Sequence, residues 1–124
     1  MQHPTEFCVF QRGTIKDGQD YVYTATQIIE NNLDCEISVE LLSKKLHLNP
    51  SYFSRKFSER MGVSPKAYIL EKKISKAKEF LLSTTFSVEE ISNSVGFSDQ
   101  LYFSRIFKQK TGLSPTAYRE KIKL

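Results

Sequence analysis

Two cysteines, two histidines and five glycines in 124 residues leave little material for chemistry. Cys8 and Cys35 stand far apart and form no CxxC pair, so a disulfide framework has no support and both are expected as reduced, structural thiols. With His3 and His47 they make four nominal metal ligands, but without the spacing a zinc site requires, and no metal is expected. The glycines gather into no phosphate-cradling loop, and no HExxH-type helix occurs. Without a catalytic constellation, neither an enzyme nor a cofactor is expected. No apolar run approaches the roughly 20 residues that span a bilayer, and the N-terminus lacks the basic-then-apolar order of a secretory signal. A cytoplasmic protein without a membrane partner is the expectation.

What is present is a chain 40% hydrophobic and 26% charged, enough for one ordinary core or two very small ones joined by something rigid. Its net charge of +4 conceals an asymmetry. Residues 1–40 carry only Arg12 and Lys16 against seven acids, whereas the rest carries sixteen basic residues against seven acidic ones. Positive potential is therefore concentrated after Leu41, where a polyanion is a plausible partner and a solubilising lysine-rich surface is the plainer alternative.

The same part of the chain repeats itself. "YFSRKFSERMGVSPKAY" (52–68) returns as "YFSRIFKQKTGLSPTAY" (102–118), with ten of seventeen positions identical. Upstream, "VELLSKKLHLN" (39–49) matches "VEEISNSVGFS" (88–98) at an offset of 49 rather than 50, so the second copy holds one extra residue near Asp99. Two copies of about fifty residues are too few for a solenoid, which needs roughly three or more; paired subdomains fit better.

Each copy is punctuated as helix, tight turn, helix, stop. Ser38 precedes Val39, Leu42 and Leu46, whose three-to-four spacing is one face of a short helix. Asn49 is placed as an N-cap, with Pro50 at the first helical position. Phe53 and Phe57 then form an inner stripe against Leu42 and Leu46, Gly62 ends the helix, and Ser64-Pro65 opens another. In the second copy "SVEE" (87–90) forms a capping box ahead of Ile91 and Val95, and Gly96 makes the turn. Ser98 is expected as the next cap, Phe103 and Phe107 as the inner stripe, Gly112 as the stop, and Ser114-Pro115 as the start of a helix through Ile122. The first copy has His47 where the second has Gly96, a departure that positive φ makes less comfortable.

Two helices joined by a short turn, the second amphipathic, match a helix-turn-helix whose second member enters the DNA major groove. With the phenylalanines inward, 100° per residue sends Ser51, Tyr52, Arg55 and Glu59 outward in one copy and Leu101, Tyr102, Arg105 and Gln109 in the other. Arg55 and Arg105 thus occupy equivalent outward positions, suited to a guanine edge or a phosphate. Leu101 at the mouth of its helix suits a thymine methyl or a packing neighbour. Residues 64–82 read as one long helix with Ile74, Ala77 and Leu81 inward and Lys72, Lys73 and Lys76 off that line. Eighteen residues make a rod of about 27 Å, close to the roughly 34 Å between major-groove openings on one face of DNA once the subdomains' width is added. From Tyr23 a further helix is expected to pack on the first unit through Ile28, Ile29 and Leu33.

The stretch "EEISNSVGFSDQLYFSRIFKQKTGLSPTAYR" resembles the signature of the DNA-binding domain of the AraC/XylS-type bacterial transcription regulators, and the resemblance covers about residues 23–122. It implies an all-α fold of about seven helices: two helix-turn-helix subdomains (23–63 and 84–124) joined by a linker helix (64–83). It also implies sequence-specific binding of double-stranded promoter DNA, with recognition helices at about 50–61 and 99–111 in adjacent major-groove segments. Carried over by position, the base-reading candidates are Ser51, Tyr52, Arg55, Gln100, Leu101 and Arg105. Phosphate-contact candidates are Lys56, Arg60, Lys72, Lys73, Lys76, Tyr102, Ser104 and Lys108. The family implies RNA polymerase as a further partner and a small-molecule effector acting through a sensory domain outside this chain, residues 1–22 being the linker to that N-terminal domain or a remnant of it. The rival reading is a helical protein-interaction module, for which exposed Tyr52, Tyr102 and Leu101 could serve as anchors.

Overall fold

The structure is a computed structural model that describes residues 20–122. Seven helices follow one another: α1 (Tyr21–Asn31), α2 (Val39–Lys45), α3 (Pro50–Met61), α4 (Pro65–Ser83), α5 (Val88–Ser94), α6 (Gln100–Thr111) and α7 (Pro115–Ile122). The described residues contain no strand. Helix α1 begins two residues ahead of the expected boundary because Asp20 caps it, accepting from the amides of Val22 at 2.9 Å and Tyr23 at 3.4 Å.

The remaining starts are set by short polar side chains. Ser38 accepts from Leu41, Asn49 from Ser51 and Tyr52, Ser64 from Ala67, and Ser114 from Ala117. Ser87 and Glu90 close a reciprocal capping box. Helix α6 departs from expectation: its cap is Asp99, which accepts from the Leu101 amide at 2.9 Å. The extra residue of the second copy moves Ser98 one place back, and its hydroxyl donates instead to Glu36 at 2.8 Å.

Both helix-turn-helix corners use the same backbone. His47 has φ 61° and Gly96 φ 78°. The amide after each reaches back five residues, Leu48 to the Ser43 carbonyl at 2.9 Å and Phe97 to the Ser92 carbonyl at 3.0 Å. His47 therefore does not alter the turn; it occupies a left-handed position that glycine would hold with less strain.

Apolar burial falls into two clusters. Val22, Ala25, Ile28, Ile29, Leu42, Leu46, Phe53 and Phe57 form the first, Ile91, Val95, Phe97, Phe103, Ile106 and Phe107 most of the second. Each has the same aromatic ladder: Phe53, Phe57 and Tyr68 in one, Phe103, Phe107 and Tyr118 in the other, with centroids 5.3–5.9 Å apart. The Tyr68 hydroxyl donates to Glu30 at 2.6 Å, and burial together with that carboxylate pushes its pKa up.

Helix α4 belongs to both clusters, giving Tyr68 and Ile69 to the first and Ile74, Ala77 and Leu81 to the second. It is thus a shared core member rather than a free-standing spacer. Its C-terminal carbonyls are taken up by α7: Arg119 donates from Nε to Leu81 at 3.0 Å and from Nη2 to Thr84 at 3.2 Å.

Candidate nucleic-acid interface

The outward faces of α3 and α6 hold the residues singled out above. On α3, Phe53 and Phe57 are buried, which leaves Ser51, Tyr52, Arg55 and Glu59 exposed. On α6, Phe103, Ile106 and Phe107 are buried, and Gln100, Leu101, Arg105 and Gln109 are exposed. Leu101 is 77% exposed, so none of the described residues buries it.

Arg55 and Arg105 are held alike. Each guanidinium lies 5.5 Å from the ring centroid of the tyrosine three residues earlier, Tyr52 and Tyr102. Stacking on an aromatic face restrains a long side chain without consuming its five donors. Neither arginine enters an ion pair among the described residues. Glu59, on the same outward face as Arg55, lies 3.8 Å from Lys56. The tyrosines differ: Tyr52 is exposed, whereas Tyr102, expected to face out, is half-buried against Phe97 at 5.9 Å.

The flanking cations already have acidic neighbours. Arg60 pairs with Asp20, Lys72 lies 3.8 Å from Glu30, and Lys76 lies 3.5 Å from Glu79. Such partly exposed pairs contribute about 0–1 kcal/mol each, so a phosphate could replace the carboxylate at small cost. Burial alone would raise the Asp20 carboxyl, but hydrogen bonds from Arg60 and from the Val22 and Tyr23 amides outweigh it and leave its pKa below the usual value. Lys108 is exposed and Ser104 half-buried on the flank of α6.

Lys73 is a correction. Expected on the phosphate-facing side of α4, it is 3% exposed. Its Nζ donates to the carbonyls of Leu33 at 2.7 Å, Cys35 at 2.6 Å and Val95 at 2.8 Å. A helix serving two clusters has two buried faces, and Lys73 falls on the line from Ile69 to Ala77 where they meet. It does not reach phosphate. That i, i+4, i+8 line was visible in the sequence, had α4 been drawn with two inner faces. The contact between Ser98 and Glu36 left no such signal.

A family model described as a helix-turn-helix domain matches residues 42–121. The chain belongs to the AraC-type helix-turn-helix family. This AraC-type domain is 38% identical over 81 residues to the Msm operon regulatory protein of Streptococcus mutans, covering 65% of this chain and 29% of that protein. It superposes on the C-terminal domain of AraT, a response regulator from Geobacillus stearothermophilus, with a TM-score of 0.81 and 32% identity over 86% of this chain and 88% of that one. It shares the fold of the DNA-binding domain of AdpA, solved in complex with a target DNA, at a TM-score of 0.81 and 23% identity over 85% and 95% of the two chains. Within the AraC-type domain α1 lies ahead of the matched residues, and no described helix is long and apolar enough to cross a membrane.

Proposed function

We propose that this chain is the DNA-reading part of a bacterial transcription regulator, and that α3 and α6 enter successive major-groove segments of one promoter site. The observation that carries the reading is the matched pair Arg55 and Arg105. Each is exposed, stacked on a tyrosine and unpaired among the described residues, at the same place on two capped helices. Such a guanidinium is pre-aimed for the two acceptors of guanine or for a phosphate. Ser51 and Tyr52 on α3, and Gln100 and Leu101 on α6, supply the adjoining base contacts. Leu101 meets a thymine methyl, since its extreme exposure leaves it without an internal role. Lys56, Arg60, Lys72, Lys76, Tyr102, Ser104 and Lys108 form the phosphate-contact set.

In this reading residues 23–63 and 84–124 are the two reading units and 64–83 the helix between them. The chain works in the cytoplasm by binding rather than by catalysis. It spans 29% of the Msm operon regulatory protein, so an effector would act through a domain outside it, and RNA polymerase is the further partner of the bound complex.

Selection of bound sequences from a random duplex pool at two salt concentrations tests the reading. The expected result is a bipartite motif with centres about ten base pairs apart, with affinity falling steeply as salt rises. On that site Arg105→Ala should cost about 1–3 kcal/mol and relax the preference at one position. Uniform weakening on all sequences would make Arg105 a phosphate clamp. No enrichment and little binding at either salt would overturn the reading in favour of a protein-interaction module.

A further inference from the structure

Lys73 sits where two helix C-termini converge. The carbonyls of Leu33 and Cys35 belong to the chain just after α1, in the first unit, and that of Val95 to the C-cap of α5, in the second. A neutral amine has two N–H donors; three carbonyl acceptors use all three donors of an ammonium. The Val95 carbonyl, at the C-cap of α5, lies at the negative end of that helix's macrodipole, where a cation is favoured even without a carboxylate. The ammonium also lies 5.9 Å from the centroid of the Phe97 ring, on the turn that leads into α6.

The substantial helix packing between the two units runs through α4. Beside Lys73, where apolar packing could have joined them, lies an open cleft of about 430 Å³ lined by Ile37, Val39, Ile69, Phe97 and Tyr102. Gly96 in the second unit comes so close to the Cys35 carbonyl of the first that a Cβ there would collide with it. The hydrogen bond from Ser98 to Glu36, on the surface, is a further direct link.

We propose that Lys73 is a positioning residue that locks the two recognition helices into one register, so that the protein discriminates the spacing of its half-sites and not only their sequences. The inference rests on the two-groove reading above. It assigns to a buried side chain that touches no DNA a share of the specificity. Losing the ammonium leaves each core cluster intact, because each is closed by its own aromatic ladder. What is lost is the tie that opposes rotation of one unit about the other.

The test uses the selected bipartite duplex, versions with one base pair inserted or removed between the half-sites, and a duplex with the half-site of α6 scrambled. One added base pair turns the second half-site by about 35° and shifts it by about 3.4 Å. Wild type should lose about tenfold in affinity on either altered spacing, the equivalent of one lost base-pair contact. Lys73→Met, with its helix content verified by circular dichroism, should lose about threefold or less on altered spacing while binding the single half-site within about twofold of wild type. An unchanged spacing ratio, with all duplexes weakened equally, would overturn the inference. Should Lys73→Met fail to fold, Lys73→Gln, whose uncharged head has two donors for the three carbonyls, carries the test: a reduced spacing ratio supports the register lock and an unchanged one overturns it. Wild type showing no spacing preference defeats the two-groove reading itself, an outcome distinct from a variant that keeps the wild-type preference.

Discussion

Alanine at Gly96 separates two costs that the turn glycines share unequally. Gly62, Gly96 and Gly112 all have left-handed backbones, with φ of 82°, 78° and 87°. At each, a Cβ carries a conformational penalty of about 1–2 kcal/mol, less about 0.4–1 kcal/mol regained because the unfolded chain loses freedom too. At Gly62 and Gly112 that is the whole effect, since nothing lies within 4 Å of the added atom. At Gly96 the Cβ would collide with the Cys35 carbonyl oxygen and Lys73 Nζ, and would lie 2.8 Å from the Cys35 carbonyl carbon. One obstacle is backbone and the other is held by three carbonyls, so relief requires breaking charge-assisted hydrogen bonds, about 1.5–3 kcal/mol for each one left unmade. Gly96→Ala should therefore cost about 3–5 kcal/mol against about 1 kcal/mol for Gly62→Ala or Gly112→Ala. At roughly 4–8 °C per kcal/mol, that lowers the melting temperature by about 15 °C or more. Urea unfolding followed by circular dichroism measures all three variants. A Gly96→Ala cost within about 1 kcal/mol of the Gly112→Ala cost would refute the reasoning. In a double-mutant cycle, Lys73→Met should recover part of the loss, because it removes one of the colliding atoms.

Two further outcomes follow from backbone and charge. His47→Gly should stabilise the domain by about 0.5–1 kcal/mol, because His47 is exposed and holds φ 61° without a glycine's freedom; thermal unfolding measures it. Asp20→Asn keeps a capable N-cap but removes the charge that meets Arg60, and should cost about 0.5 kcal/mol at neutral pH. The folded pKa of Asp20 is lowered, so its contribution is present above the unfolded value near 3.8 and is lost as pH falls through the folded value. The gap between wild type and variant should accordingly close below about pH 4 in a pH series of unfolding curves.

Helix starts and stops were legible because they depend on local chemistry. Ser38, Asn49, Ser64, Ser87 and Ser114 bind amides two or three residues on, and Gly62 and Gly112 hold left-handed stops, all within one turn of chain. The outward placement of Arg55 and Arg105 was legible for a similar reason, since a 100° rotation from two phenylalanines fixes it. What local reading missed at Lys73 and Ser98 depended on partners 22 to 62 residues away, and at Tyr102 on the turn residue Phe97. Lys73 reads as one more phosphate-facing lysine until the carbonyls of both units close on it. Ser98 looked like the cap until Glu36 took its hydroxyl and Asp99 replaced it. Tyr102 matched Tyr52 by position, yet Phe97 half-buries it, where Tyr52 stays exposed.

The length of α4 has an evolutionary consequence. Its 19 residues present Tyr68 and Ile69 to one core and Ile74, Ala77 and Leu81 to the other. Inserting a single residue between those sets would advance the second by about 1.5 Å and swing it by about 100°, so at least one core would lose its closing face. Loops elsewhere can lengthen or shorten over generations at little cost, whereas this helix is not free to drift. The protein is inherited as a ruler of fixed length, and in the two-groove reading proposed above a descendant with a different target changes the exposed side chains of α3 and α6 while its operator keeps to the ruler.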